Sequence, residues 1–151
     1  MTTLIEKIVG ELGYKRRWRA YRARVKALPA GYRTTGEALE RYLTYFGMIT
    51  KGDIPTDVLM SMLEDLADLF EQAAAQGAPI RTVTGEDPVE FAETFFRNYS
   101  DGQWTSAQRD PSMSAIEHGF HNEVERGINK ERARLVDAIE RAEAQDGRSR
   151  S

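Results

Sequence analysis

Apolar residues recur along most of the chain at helical spacing. Leu4, Ile5, Ile8, Val9 and Leu12 fall on one face of a short opening helix, which Gly10 and Gly13 are expected to loosen. Tyr14, Trp18, Tyr21, Val25 and Leu28 follow at spacings of 4, 3, 4 and 3, a stripe about 60° wide at 100° per residue. Pro29 ends that helix and opens the next, which carries Leu39, Tyr42, Leu43 and Phe46 and has Gly47 as its expected stop. Thr56 is the expected N-cap of a third helix, with Leu59, Met62, Leu63, Leu66, Phe70 and Ala73 inward and Gly77-Ala-Pro79 at its end. Ile80-Arg-Thr-Val-Thr84 alternates and reads as a short extended segment. Thr84-Gly-Glu-Asp87 reads as a capping box, and Pro88 then starts a fourth helix with Val89, Ala92, Phe95, Phe96 and Tyr99 facing the core.

Residues 100–111 read as a loop whose Trp104 is expected to dock on the helices. A last helix is predicted over about 113–145, with Ile116, Phe120, Val124, Ile128, Leu135 and Ile139 as its apolar line, a length of about 45 Å. Beyond Phe120 that line is thin and bordered by charge. It reads as an unpartnered seam, and Val124, Ile128, Leu135 and Ile139 are the candidate oligomer interface, with a homodimer the expected assembly. Residues 146–151 are expected to be disordered. The pattern as a whole predicts an all-α, up-and-down four-helix bundle with a short N-terminal helix and a long C-terminal one. It forms a single domain over residues 1–145, with its core in 14–99.

Charge changes this picture more than composition does. The 151 residues carry 21 Lys+Arg and 24 Asp+Glu, but the charges are segregated. Residues 14–33 hold eight basic groups and no acidic one, whereas residues 53–93 hold ten acidic groups and only Arg81 as a base. Lys15, Arg19, Arg22 and Lys26 follow i, i+4, i+7, i+11 and form one cationic row. Such a row can bind nucleic acid weakly and without sequence preference, by releasing counterions from phosphates. The simpler reading has the same side chains solvated beside the apolar stripe, or paired with the Glu64, Asp68 and Glu71 row of the third helix. An acidic balance argues against a dedicated DNA binder.

Candidate chemistry is sparse. With no cysteine, a disulfide scaffold, a zinc ribbon, an iron–sulfur cluster and a thiol nucleophile are all excluded. No serine sits in a Gly-x-Ser-x-Gly elbow and there is no phosphate-binding glycine loop, so a non-enzymatic protein without cofactor is expected. His118, His121 and Glu125 are the candidate metal ligands, at spacings that share a helix face. A di-iron bundle would need Glu-x-x-His pairs on two helices, and none is present. The aromatic set around Trp18, Tyr42, Phe46, Phe70 and Phe96 could line a small-molecule pocket, though at this spacing it reads first as core. No run is long and apolar enough for a transmembrane helix, and the opening Met-Thr-Thr-Leu lacks a secretory pattern. A cytoplasmic location without membrane association is expected.

Several segments together resemble a known family: Leu4-Ile-Glu-Lys-Ile-Val-Gly10, Trp18-Arg-Ala-Tyr21, Arg24-Val-Lys-Ala-Leu-Pro29, Asp68-Leu-Phe70, Ala73-Ala-Ala75-Gln-Gly77 and Val83-Thr-Gly-Glu-Asp87. In order and spacing they are similar to a bacterial family of unknown function, number ten forty-eight of the domain-of-unknown-function series. The resemblance covers about residues 4–99. It implies a small all-helical protein with no assigned cofactor or catalytic residue. Members tend to be encoded beside PadR-type transcriptional regulators, which implies an accessory or regulatory role with such a regulator as partner.

Overall fold

A computed structural model describes the backbone of residues 4–51, 54–100 and 113–150, and the side chains of 13–50, 54–99 and 125–146. Every regular element in it is an α-helix: α1 Leu4–Lys26, α2 Ala30–Lys51, α3 Thr56–Ala75, α4 Ile80–Thr84, α5 Pro88–Ser100 and α6 Met113–Arg150. None of these is long and apolar enough to cross a membrane among the described residues.

Prolines set the starts. Pro29, Pro55 and Pro79 each precede a helix and give a carbonyl to its first turn, accepting from Arg33, Leu59 and Thr82 at 2.8, 3.0 and 2.9 Å. Pro88 is the first residue of α5, where a missing N–H leaves nothing unsatisfied. The expected cap at Thr56 is corrected: Pro55 holds the N-cap position in an extended conformation (φ −55°, ψ 135°), and Thr56 is already helical. The capping box is corrected in the same way. Asp87 is itself the N-cap of α5, its Oδ1 accepting from the amides of Val89 and Glu90, both at 3.1 Å.

Helix ends are glycine work in one case and not in another. Gly77 (φ 67°) closes α3 in a Schellman turn, with Ala78 N–H donating to Ala73 O and Gly77 N–H to Ala74 O. Gly47 does not stop α2. A Cβ there would lie 2.2 Å from Ile54 Cδ1 and 2.9 Å from Phe96 Cε2, so this glycine is a packing vacancy inside the helix. Gly10 and Gly13 likewise leave α1 unbroken, and the short opening helix and its successor are one element of 23 residues. The segment read as extended, Ile80–Thr84, is a single helical turn. Five residues give too little alternation to decide; Ile80 and Thr84 are buried while Thr82 between them is exposed, the i, i+4 pattern of a helix and not the i, i+2, i+4 face of a strand.

α2 lies at the centre. Its apolar residues Leu39, Tyr42 and Leu43 are fully buried against Met60, Leu63, Leu66 and Phe70 of α3 and Phe96 of α5. Ring pairs link the layers, with Phe46 edge-on to Phe96 at 5.3 Å and Tyr32 tilted on Phe70 at 5.8 Å. Tyr42 donates to Glu93, which also accepts from Arg132 at 3.1 Å, so α2, α5 and α6 meet on one carboxylate. Burial raises the Tyr42 phenol to about 12.

The last helix departs most from expectation. Rather than projecting, α6 packs antiparallel along α2. Gly31 faces Ala142 at one end and Tyr45 faces Gly127 at the other, with Arg41 bonded to Glu131 between them. A Cβ on Gly31 would stand 2.7 Å from the Ala142 carbonyl, which marks how closely the two backbones approach. Ile128, Leu135, Ala138, Ile139 and Ala142 are buried in this contact. The helical backbone also runs through residues 146–150, past Gln145 and into the segment read as a disordered tail. The expected loop at 100–111 is helical at Ser100, the last residue of α5; its remainder, Trp104 included, lies outside the described residues.

Candidate functional site

Two groups of α1 cations lie on opposite sides of the helix, with exposed Arg16 between them. Arg17 and Arg24, seven residues apart, turn toward α3. Arg17 reaches Glu64 at 2.7 Å and Asp57 at 3.7 Å, while Arg24 bonds both Asp68 and Glu71. These pairs run in the same order along both chains, so α1 and α3 are parallel. The carboxylates raise both guanidinium pKa values, and the pairs lie at a partly exposed rim, where each is a weak stabiliser.

The cationic row lies on the other side. Lys15, Arg19 and Lys26 are exposed, and no carboxylate among the described residues forms an ion pair with them. Arg22 is held: its guanidinium lies 5.6 Å from the Trp18 ring centroid and 3.9 Å from Glu40. The acidic row Glu64, Asp68 and Glu71 is therefore used, but by Arg17 and Arg24 and not by the row read from spacing. Seven-residue spacing of those two arginines was the available signal.

Between the two sets runs a strip that charge reading passed over. Ala20, Ala23 and Ala27, at i, i+3 and i+7, are all exposed, in line with exposed Arg16 one turn before Ala20. On its α2 side lie Glu37 and Glu40. Burial pushes the Glu40 carboxyl up from its ordinary value, against the opposing influence of Tyr21 and Arg22. The Tyr21 hydroxyl is buried beside it.

The other candidates fare differently. Ile128, Leu135 and Ile139 are committed to α2 inside the protomer, with Leu135 and Ile139 at most 2% exposed, so they present no free seam; the Val124 side chain lies outside the described residues. Glu125 is exposed, and His118 and His121 have side chains outside the described set. Among the described residues no three His, Cys, Asp or Glu side chains gather as a metal group. The aromatic set belongs to the core or packs against it. Among the described residues, a groove of 520 Å³ between α2 and α6 carries Glu37, Glu131 and Asp137 against Arg41, Arg134 and Arg141, and a cleft of 500 Å³ beside α4 and α5 sets Glu86, Asp87 and Glu90 beside Phe91 and Phe95.

No curated protein and no solved structure matches the chain. A family model does match over residues 9–117, a span that includes all of α1 to α5 but the first five residues and only the start of α6. By that match the chain belongs to the family described as "Protein of unknown function (DUF1048)".

Proposed function

We propose that the chain is a non-enzymatic helical interaction module that docks an anionic partner through the outer face of α1. One observation carries this reading: Lys15, Arg19 and Lys26 stay unpaired among the described residues, while Arg17 and Arg24 of the same helix are matched by α3. Unmatched like charges on one ridge create a local positive potential despite the net charge of -3. The scaffold that fits is the up-and-down four-helix arrangement, since α2 runs antiparallel to α6 and α1 parallel to α3. An accessory role beside a transcriptional regulator is compatible with such a module. A homodimer through the α6 seam is not part of this proposal, because its apolar side chains are already covered.

The test is titration of the full chain with poly-glutamate, followed by Trp18 fluorescence in a Trp104→Phe background. Arg22 on the Trp18 ring makes that signal sensitive to occupancy of the row. Binding should weaken steeply with added salt and disappear in Lys15→Glu/Arg19→Glu. A titration with no spectral change at low salt, or one insensitive to the double substitution, contradicts the reading.

A further inference from the structure

We infer that the cleft beside α4 and α5 binds a small organic cation with an apolar body, such as an aryl ammonium or phosphonium. It shares no residue with α1, so it stands or falls apart from the docking reading above. Glu86, Asp87 and Glu90 line it together with the rings of Phe91 and Phe95, around a hollow of 500 Å³. Small-molecule sites run from about 300 to 1,000 Å³.

Charge fixes the sign of the ligand. Among the described residues no Lys, Arg or His lines the cleft. None of its three carboxylates forms an ion pair there either, whereas Glu64, Asp68 and Glu71 of α3 and Glu131 and Glu143 of α6 do. Arg81, the one base of residues 53–93, feels the Glu86 charge but donates to Glu143 and to the Glu86 backbone carbonyl, both at 3.0 Å. Asp87 turns one oxygen to the amides of Val89 and Glu90, which leaves Glu86 and Glu90 as the carboxylates open to a cation.

The rings fix its kind. Phe91 and Phe95 stack at 5.8 Å and 27°; Phe95 is buried, and Phe91 is only half-buried at the cleft. A hydrated metal ion gains nothing from an aromatic wall, and no three His, Cys, Asp or Glu side chains gather among the described residues to replace its water. A neutral apolar molecule would leave the carboxylates without a partner. An organic cation answers both: the acids and the rings attract its diffuse charge, and its apolar body covers the open part of Phe91.

The experiment is calorimetric titration of the full chain with tetraphenylphosphonium, with triphenylphosphine oxide as a neutral aryl probe and tetramethylammonium as a cation without rings. Tetraphenylphosphonium should bind at least tenfold tighter than either. Thr94→Lys places an internal cation four residues after Glu90, at an exposed helical position in the cleft wall. It should weaken tetraphenylphosphonium at least tenfold and leave the helical circular-dichroism spectrum and poly-glutamate binding unchanged. Glu86→Gln/Glu90→Gln should weaken it as much, and Phe91→Leu, which keeps bulk but removes the ring, several-fold. Equal binding of the phosphonium and the phosphine oxide, indifference to Thr94→Lys, or no binding of tetraphenylphosphonium overturns the site. An oligolysine peptide that binds in its place and is lost in Thr94→Lys would also overturn it, and would mark the cleft as a surface for a basic protein segment.

Discussion

α1 and α6 are the two most charge-rich helices of the molecule, and they meet the rest of it in opposite ways. α6 turns a line of small and branched side chains, Leu135, Ala138, Ile139 and Ala142, onto α2; Gly31 lets the two backbones close, and Gly127 makes room for the Tyr45 ring hydroxyl. Its charges form a rim: Arg41 bonds Glu131, Arg132 bonds Glu93 and Arg81 bonds Glu143. α1 buries Tyr21, Val25 and Leu28 and pairs two arginines with α3, yet leaves a second cationic set and an alanine line facing outward. Composition does not separate the two helices. What separates them is whether the facing element supplies a small-residue groove and matching charge for every side of the helix.

Core truncation on α6 should break the comparison hardest. Ile139→Ala removes a fully buried side chain and should cost about 2–5 kcal/mol in denaturant unfolding; a loss under 0.5 kcal/mol would mean the α2–α6 contact is not formed. Gly31→Ala forces a Cβ against the Ala142 carbonyl, where backbone cannot yield as a side-chain tip can. It should lower stability by about 1–3 kcal/mol, whereas Gly13→Ala, with open space around it, should not.

Two carboxyls on either side of this comparison should respond to pH with opposite sign. Arg41 holds the Glu131 carboxyl below its ordinary value, so its contribution is present above the unfolded-state pKa and is lost as pH falls through the folded one. Glu131→Gln should therefore be less stable than the parent near pH 7, and the gap should close in acid. Glu40, facing Tyr21, Arg22 and Glu37, is raised by burial, so ionising it in the fold is unfavourable above its folded pKa. Glu40→Gln should be the more stable form near pH 7, and that gain should vanish once both states are protonated below about pH 4. Urea midpoints across pH 3–8 read both. The smallest effect belongs to Lys15→Glu/Arg19→Glu, which should stay within about 0.5 kcal/mol of the parent in urea while abolishing poly-glutamate binding.

The contrast also shows which features the sequence carries locally. The bodies of α2, α3 and α5 were legible because prolines punctuate them and their inner faces are wide and aromatic. The fate of Ile128, Leu135 and Ile139 was not, because periodicity locates a stripe but does not say what covers it. The cover is Gly31 and its neighbours, about a hundred residues earlier, and a glycine in a helix reads as weakness or a stop until its partner is known. Gly47 misleads for the same reason. On α1 the row Lys15, Arg19, Arg22 and Lys26 was visible from spacing alone, but which cations α3 would neutralise depended on a parallel packing that spacing does not encode.

The α6 seam is closed inside the protomer, and the outer face of α1 is open. The chain has no cysteine, so a single introduced thiol reports its own position without interference. Native-state labelling rates of Ala23→Cys and Ala142→Cys, each compared with the same variant in denaturant, distinguish an open face from a closed one. Ala23→Cys should label near its denatured rate, and Ala142→Cys should be protected at least a hundredfold. Equal rates in the two variants, or protection at position 23, would contradict it.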